Sequence, residues 1–384
     1  MNLFLLMSVK HLHIISFDIP YPATYGGVID VFYSLQALSQ AGVAIDLHCF
    51  YKGELQHHPQ LENLCRKVYY YKRDMSFKQM LRCKPFAVCS RESKELLTNL
   101  LQDDAPILFE GLVSCALLSH PALQKRTKIF RESNIEHDYY MALSKAARQW
   151  SKKLYFRADA IRLRRFESCV SHAQAILAVA HQDESHFRTH YPDVPTYYLP
   201  SFHPNNAVSI PDGKGQYILY HGNLDVAENY NAAEIILRDI ASRLPDIPFI
   251  LAGRYHHHLL DDIISRTPNV TLIANPDSAE MDRLVSDAQI HLLLTEQATG
   301  LKLKLLNVLY QGRHVIVNDK MVTGTDVASL CHIGNTTDEI VALCQRYFAL
   351  PVSAEDKQQR VAILAAHYDN DTKGQQLIQH IFQP

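Results

Sequence analysis

The sequence predicts an α/β protein of two Rossmann-like domains, each built on a parallel sheet, facing one another across a cleft. Three observations predict it. In both halves short apolar runs alternate with helix-length stretches, the pattern of strand, helix, strand crossovers. A stretch without periodicity, punctuated by Pro192, Pro195, Pro200 and Pro204, separates the two series. Finally, 384 residues exceed what one core ordinarily serves. We therefore expect an N-terminal domain over 1–200, a linker near 199–206, and a C-terminal domain over 201–360. A terminal helix within 361–384 would pack back toward the first domain.

The first half opens with a strand over 11–17, a loop rich in Pro and Gly (DIPYPATYGG), a helix over 28–40 stopped by Gly42, and a strand over 43–50. No G-x-G-x-x-G is present, so a dinucleotide fingerprint is absent. Gly26 and Gly27 either let a ligand come close to a helix start or make a tight turn. Strands are expected over 68–71, 107–110 and 129–131, with helices around 90–101. The polar run 132–140 then reads as a cleft-facing loop, or as a helix start capped by Ser133 or Asn134 with Glu136 in its first turn. Residues 145–165 form a basic helix, which either lies on an anionic membrane surface or covers a core with Tyr155, Phe156, Ile161, Leu163 and Phe166. A strand over 175–179 completes this half.

The second half repeats the alternation: strand 217–220, turn 221–223, helix 232–244, strand 249–252 ending in Gly253-Arg254, strand 270–273 and helix 279–288. The unit LLLTEQATGLKLKLLNVLYQGRHVIV over 292–317 organises the chain. Gly300 opens its helix and Gly312 closes it. Leu301, Leu303, Leu305, Leu306, Val308 and Leu309 cover most of the circumference, while Gly300, Lys304, Asn307 and Gln311 fall on one stripe. A helix start after the carboxyl end of a strand, with Lys304 beside it, suits an anion such as a phosphate. The alternative is a packed helix whose Lys304 and Asn307 reach solvent at its edge. Helices over 338–349 and 354–382 follow.

Composition narrows the function classes. With 38 Lys and Arg against 40 Asp and Glu, the chain has no basic excess for nucleic acid. No run of about eighteen apolar residues exists, so no spanning helix is expected. The opening MNLFLLM reads as a tail before the first strand, or as sequence upstream of a start at Met7, rather than a signal peptide. Eight cysteines without a close pair read as reduced thiols of a cytoplasmic protein rather than disulfides or a zinc site. His256, His257 and His258 lack partners at ligand spacing and read as a loop.

Several motifs in order carry a resemblance: Gly26-Gly27 after the Pro-rich loop; Arg131 with Asn134-Ile135-Glu136; HGNL at 221–224 with Asn229; LAGR at 251–254; Pro268-Asn269-Val270; and GLKLKLLNVLYQGRHVIV at 300–317. Together they resemble the retaining GT-B glycosyltransferases of family four (group 1). The resemblance implies a nucleotide-sugar donor held mainly by the C-terminal domain. Gly26 and Gly27 would face its diphosphate; Gly222, Asn223 and Arg254 would border diphosphate and nucleotide; Asn275 to Asp277 would lie near the base. Thr299, Gly300 and Leu301 belong to the last motif, where Gly300 and Leu301 would offer N–H groups to the phosphates. Lys304 would be their cationic partner and Asn307 would face the ribose. Ser133 and Glu136 are the candidates on the catalytic, acceptor side.

The resemblance implies an enzyme moving a hexose with retention from a UDP- or GDP-sugar to a hydroxyl of a glycan or lipid-linked glycan, in surface polysaccharide synthesis. Neither metal nor further cofactor is required, because lysine and helix N-termini supply the positive charge. The expected location is cytoplasmic, with peripheral contact at the inner membrane face. The departures are specific. Where the family commonly has two glutamates, this chain has Thr299 and Asn307; Asn223 and Glu228 replace a frequent Arg and Lys; Ser133 replaces a sugar-contacting His. They motivate a second reading, a catalytically silent relative that binds a sugar nucleotide or a partner enzyme. A GT-B-shaped epimerase or phosphorylase is a third, and it leaves the Gly-x-x-x-Lys motif unexplained.

Overall fold

In a computed structural model of the chain, residues 10–147, 149–296 and 302–383 are described. The chain forms two compact units, one of Met1–Ser144, Leu154–Pro204 and Asn370–Pro384, the other of Lys145–Lys153 and Asn205–Asp369.

The first unit is built on seven parallel strands: β1 (His11–Ser16), β2 (Ala44–Tyr51), β3 (Lys67–Lys72), β4 (Ile107–Glu110), β5 (Lys128–Glu132), β6 (Ala175–Ala178) and β7 (Thr196–Tyr198), in the order β3-β2-β1-β4-β5-β6-β7. The second has six: β8 (Ile218–His221), β9 (Phe249–Gly253), β10 (Val270–Ala274), β11 (Ile290–Leu293), β12 (His314–Val317) and β13 (His332–Ile333), ordered β10-β9-β8-β11-β12-β13. Helices cover both faces, so the central strands are buried on both sides. That is why Leu12, Ile14, Ile15 and Ile107 to Phe109 read as near-continuous apolar runs and not as alternation. In each sheet the strand order reverses beside the first strand, between β1 and β4 and between β8 and β11. Open α/β sheets bind ligands at the carboxyl ends of the strands flanking such a reversal.

The core is stitched by a buried ion cluster. Arg131 of β5 donates to Asp30 at 2.8 Å and to Glu110 of β4 at 3.2 Å, and Asp30 also accepts from the Phe202 N–H at 2.7 Å. Burial pushes the Glu110 carboxyl up to about 7, opposed by the Arg131 charge. In the second unit Gly253 holds φ at +140°, and a Cβ there would stand 1.9 Å from the Gly222 carbonyl oxygen. Only glycine lets the loops after β8 and β9 touch in this way.

The structure corrects several expected elements. The first helix starts at Gly26 and runs to Gln40, taking in both glycines expected before it. The basic helix over 145–165 is two helices, Glu136–Ala146 and Trp150–Phe166. The helix expected over 232–244 starts earlier, as Ala227–Ile235, and continues through a wider turn, Ile236–Ile240, and a tighter one, Ala241–Arg243. The last helix breaks at Asp369 into Ala354–Tyr368 and Asn370–Phe382. The break coincides with the return of the chain to the first unit: Asn370 donates to the His203 carbonyl at 2.7 Å, Lys373 donates to that of Ser201 at 2.6 Å, and Gly374 lies against Ala37. Three-residue β7 lies within the Pro-punctuated stretch that shows no periodicity in the sequence.

Candidate functional site

In the second unit the loop after β8 and the helix Leu303–Gln311, which follows β11, come together at the reversal of strand order. Lys304 lies in the first turn of that helix; its Nζ donates to Asn229 Oδ1 at 3.0 Å and stands 5.3 Å from the Tyr220 ring centre. Asn229 in turn donates to the Asn223 carbonyl at 3.0 Å and accepts from the Tyr220 hydroxyl. Gly222 packs on the same asparagine, where a Cβ would sit 3.1 Å from Asn229 Cγ. One network therefore joins Gly222, Asn223, Asn229 and Lys304.

Its electrostatics follow from burial. Desolvation lowers the Lys304 ammonium to about 8, and the Glu228 carboxylate partly restores it. Burial, reinforced by the Lys304 charge, takes the His221 imidazole down to about 3, so it stays neutral at pH 7. Glu228 accepts from the Thr295 hydroxyl at the end of β11. A neutral imidazole, a desolvated lysine and one carboxylate bonded by a hydroxyl lie together at this strand end, where an arriving anion would meet a lysine charge little weakened by solvent.

The remaining expected residues are placed as follows. Arg254 is exposed, 3.4 Å from Asp225, and its carbonyl accepts from the Leu224 N–H, so it borders the same loop. Asn275 takes a positive φ of 55° and brackets the Tyr255 backbone, accepting its N–H at 3.1 Å and donating to its carbonyl at 3.2 Å. That is a turn-building role for its side chain. Asn307 is half-buried one helical step past Lys304. Thr299, Gly300 and Leu301 lie outside the described residues.

In the first unit the carboxyl ends of β1, β4 and β5 carry a second cluster. The helix Gly26–Gln40 starts there with no side-chain cap and no acidic residue in its first turn. Gly27 lies against Phe17, where a Cβ would come 2.7 Å from the ring, whereas Gly26 faces open space. Glu132 Oε1 accepts from the N–H groups of Ser133 and Asn134 at 3.0 and 2.9 Å. Burial and the neighbouring Glu136 hold the Glu132 carboxyl well above its ordinary range. Glu136 itself is pushed up to about 7 by burial, against the pull of Arg91. Two facing carboxyls of raised pKa give a group able to hold or release a proton near neutrality.

Sequence reasoning did not find Arg91, which bonds the Phe17 and Ala87 carbonyls, nor the Tyr25 to Asp18 bond at 2.9 Å beside it. Arg91 lies in no motif and reaches Phe17 across 74 positions, while Asp18 and Tyr25 stand in the Pro-rich loop with no signal of their own. Thr295 was equally unmarked. Among the described residues one group has metal-ligand geometry: His11, His13, Asp46 and Asp103. It sits at the amino ends of the strands, and Arg66 already bonds both Asp46 and His11 there, so a cation is in place without a metal.

No family model matches the chain. A Klebsiella pneumoniae protein described as an uncharacterized 44.6 kDa protein in the cps region is 25% identical over 319 residues, 79% of this chain and 81% of the relative. Sucrose-phosphate synthase from Thermosynechococcus elongatus superposes with a TM-score of 0.67 at 14% identity, over 97% of this chain and 98% of that one. An E. coli trehalose-6-phosphate protein bound with UDP-2-fluoro glucose gives 0.66 at 12% identity, over 98% and 99%. The fold is GT-B. Both units of the GT-B chain thus carry their polar clusters at the carboxyl ends of the strands beside the reversal of order, the edge at which such sheets take ligands.

Proposed function

We propose that this GT-B chain is a glycosyltransferase that moves a hexose, with retention, from a nucleotide diphosphate sugar to a hydroxyl of a glycan or lipid-linked glycan in surface polysaccharide synthesis. The carrying observation is the desolvated Lys304 joined to Asn229 and Asn223 at the strand-order reversal of the second unit. A lysine so placed neutralises the charge that develops on a departing nucleotide diphosphate, the main electrostatic demand of the reaction. In this reading residues 201–360 serve the donor, with Gly222, Asn223, Arg254, Asn275, Thr299, Gly300, Leu301 and Asn307 around it. Residues 1–200 serve the acceptor, and of the terminal segment 361–384 the part from Asn370 onward completes the first domain.

On the acceptor side Gly26 and Gly27 approach the diphosphate, while Glu136, with Ser133 and Glu132 beside it, receives the acceptor hydroxyl. The raised carboxyl of Glu136 suits it to hold that hydroxyl's proton. UDP or GDP is the expected nucleotide; the UDP-2-fluoro glucose of the E. coli neighbour supports UDP. The Klebsiella relative, described as lying in a cps region, supports a role in surface glycan assembly; in this reading the protein works in the cytoplasm with peripheral contact at the membrane. The test is a screen of UDP-, GDP- and ADP-hexoses for thermal stabilisation, followed by nucleotide release with and without glycan acceptors.

A second reading is a silent relative that binds the sugar nucleotide without transferring it. Asn307 favours it, because a neutral amide cannot give the charge-assisted bond of a glutamate, roughly 1 kcal/mol or more. Binding without turnover on any acceptor would select this reading.

A further inference from the structure

The amino ends of the first sheet hold a polar cluster that neither the donor side nor the acceptor side uses. His11 and His13 stand two positions apart on β1, so both side chains leave the same face of the sheet. Asp46 of β2 pairs in register with His13 on that face, and Asp103 reaches it from the loop before β4. One ligand atom from each of the four lies within 4.8 Å of the other three. Two of the separations are shorter: His11 Nε2 is 3.4 Å from Asp46 Oδ2, and His13 Nε2 is 3.0 Å from Asp103 Oδ1. Ligands bound at about 2.0–2.2 Å to a tetrahedral ion stand roughly 3.4 Å apart, so the four groups need little movement to surround one.

Arg66 marks where that ion would stand. Its Nε donates to Asp46 Oδ1 at 2.8 Å, and one terminal nitrogen donates both to Asp46 Oδ2 and, at 2.9 Å, to His11 Nε2. A histidine lone pair and a carboxylate oxygen thus already converge on one positive nitrogen. The Arg66 side chain is 45% exposed and can turn out to solvent, whereas buried Asp46 cannot follow it. Arg126, 3.5 Å from Asp103, is held by the carbonyls of Leu100, Asp103 and Ala105 and stays. His13 has a supporting partner as well: its Nδ1 lies 3.0 Å from Nε2 of buried His48, whose Nδ1 lies 2.9 Å from the Tyr71 hydroxyl. Metal-bound imidazoles use such an outer partner to fix the ring. We propose that His11, His13, Asp46 and Asp103 form a structural site for one divalent first-row transition ion such as zinc, which takes the place Arg66 holds. Two imidazoles beside two carboxylates suit such an ion better than magnesium or calcium, which favour oxygen alone. The site clamps β1, β2 and the loop before β4 at the edge opposite the one where the sheet takes ligands, and it does not rest on the glycosyltransferase reading.

The test uses the untagged full chain, stripped with EDTA and dialysed, with zinc chloride as the probe. Calorimetric titration should show one zinc per chain, and the thermal midpoint should rise when it is bound. His11→Ala combined with Asp103→Asn, both at half-buried positions, should bind zinc at least roughly tenfold more weakly. Arg66→Ala removes the competing cation and should bind zinc more tightly than wild type. Without zinc this variant should melt lower, because Asp46 stays buried with no cation, and zinc should restore its midpoint. A merely structural arginine would give the loss without the rescue. UDP affinity, read in parallel with and without zinc, should match wild type in every variant, which separates failure of this site from failure of the donor reading. No stoichiometric zinc on the wild-type chain, equal affinity in the double variant, meaning an adventitious ion only, or an Arg66→Ala chain that zinc neither binds more tightly nor restores would each overturn the proposal.

Discussion

Lys304 Nζ and Asn229 Oδ1 lie 3.0 Å apart, joining the helix after β11 to the one after β8 at the point where the strand order reverses. The asparagine supplies a neutral oxygen, so the lysine charge is oriented without being cancelled. The ammonium is lowered from 10.5 to about 8 by burial. A bound diphosphate would raise it again.

Binding of UDP near pH 8.5 should therefore take up protons, and affinity should fall as pH climbs through about 8. Calorimetry in buffers of different ionisation enthalpy reads the uptake. For the free protein the sign is opposite. Between about 8 and 10.5 the unfolded chain keeps a proton that the folded lysine has lost, so this group adds stability as pH rises through that window. Equal proton counts for free and bound protein would remove Lys304 from the phosphate site.

Gly253→Ala should destabilise the second unit by roughly 3 kcal/mol or more, because the φ of +140° and the Gly222 carbonyl at 1.9 Å leave no place for a methyl group. Urea unfolding measures it. A loss under about 1 kcal/mol would show that the β8 and β9 loops part easily.

Arg131→Met leaves Asp30 and Glu110 buried together without their cation. We expect a loss of about 3–5 kcal/mol in the first unit, measured by urea unfolding, and partial recovery when Glu110→Gln is added. A second change that deepens the loss would contradict the account.

Glu167 accepts from His186 at 2.9 Å, His137 at 3.1 Å and Tyr191 at 3.1 Å, at the edge of a 380 Å³ cavity. Although burial opposes it, these bonds hold its carboxyl down at about 2. Its contribution is complete above about 4.5 and drains away as pH falls toward 2, whereas that of His186, whose pKa is raised, is complete below 6.5 and lost as pH rises past its folded value. Glu167→Gln should flatten both flanks of the stability profile and cost roughly 2 kcal/mol near pH 6. A parallel downward shift of the whole profile would argue for packing alone.

The architecture was legible because buried parallel strands leave unmistakable apolar runs, such as Ile107 to Phe109 and Val315 to Val317. Lys304 stood out for the same reason, as a cation on a helix otherwise covered with leucine. The break at Asp369 was not legible. Neither Gly nor Pro marks it, and the bonds from Asn370 to His203 and Lys373 to Ser201 that redirect the chain span more than 160 positions. Three-residue β7 falls among prolines and is too short to show a period. Arg91 and Thr295 become visible only when strand ends distant in sequence converge, which no local pattern records.

The central claim is that Lys304 meets the diphosphate of a donor nucleotide, and calorimetric titration of UDP and GDP into wild-type protein and Lys304→Ala tests it most directly. A drop in affinity of roughly 1.5–3 kcal/mol, with the thermal midpoint retained, is the predicted result. Affinity unchanged by the substitution, or no nucleotide binding by the wild-type chain, would contradict it.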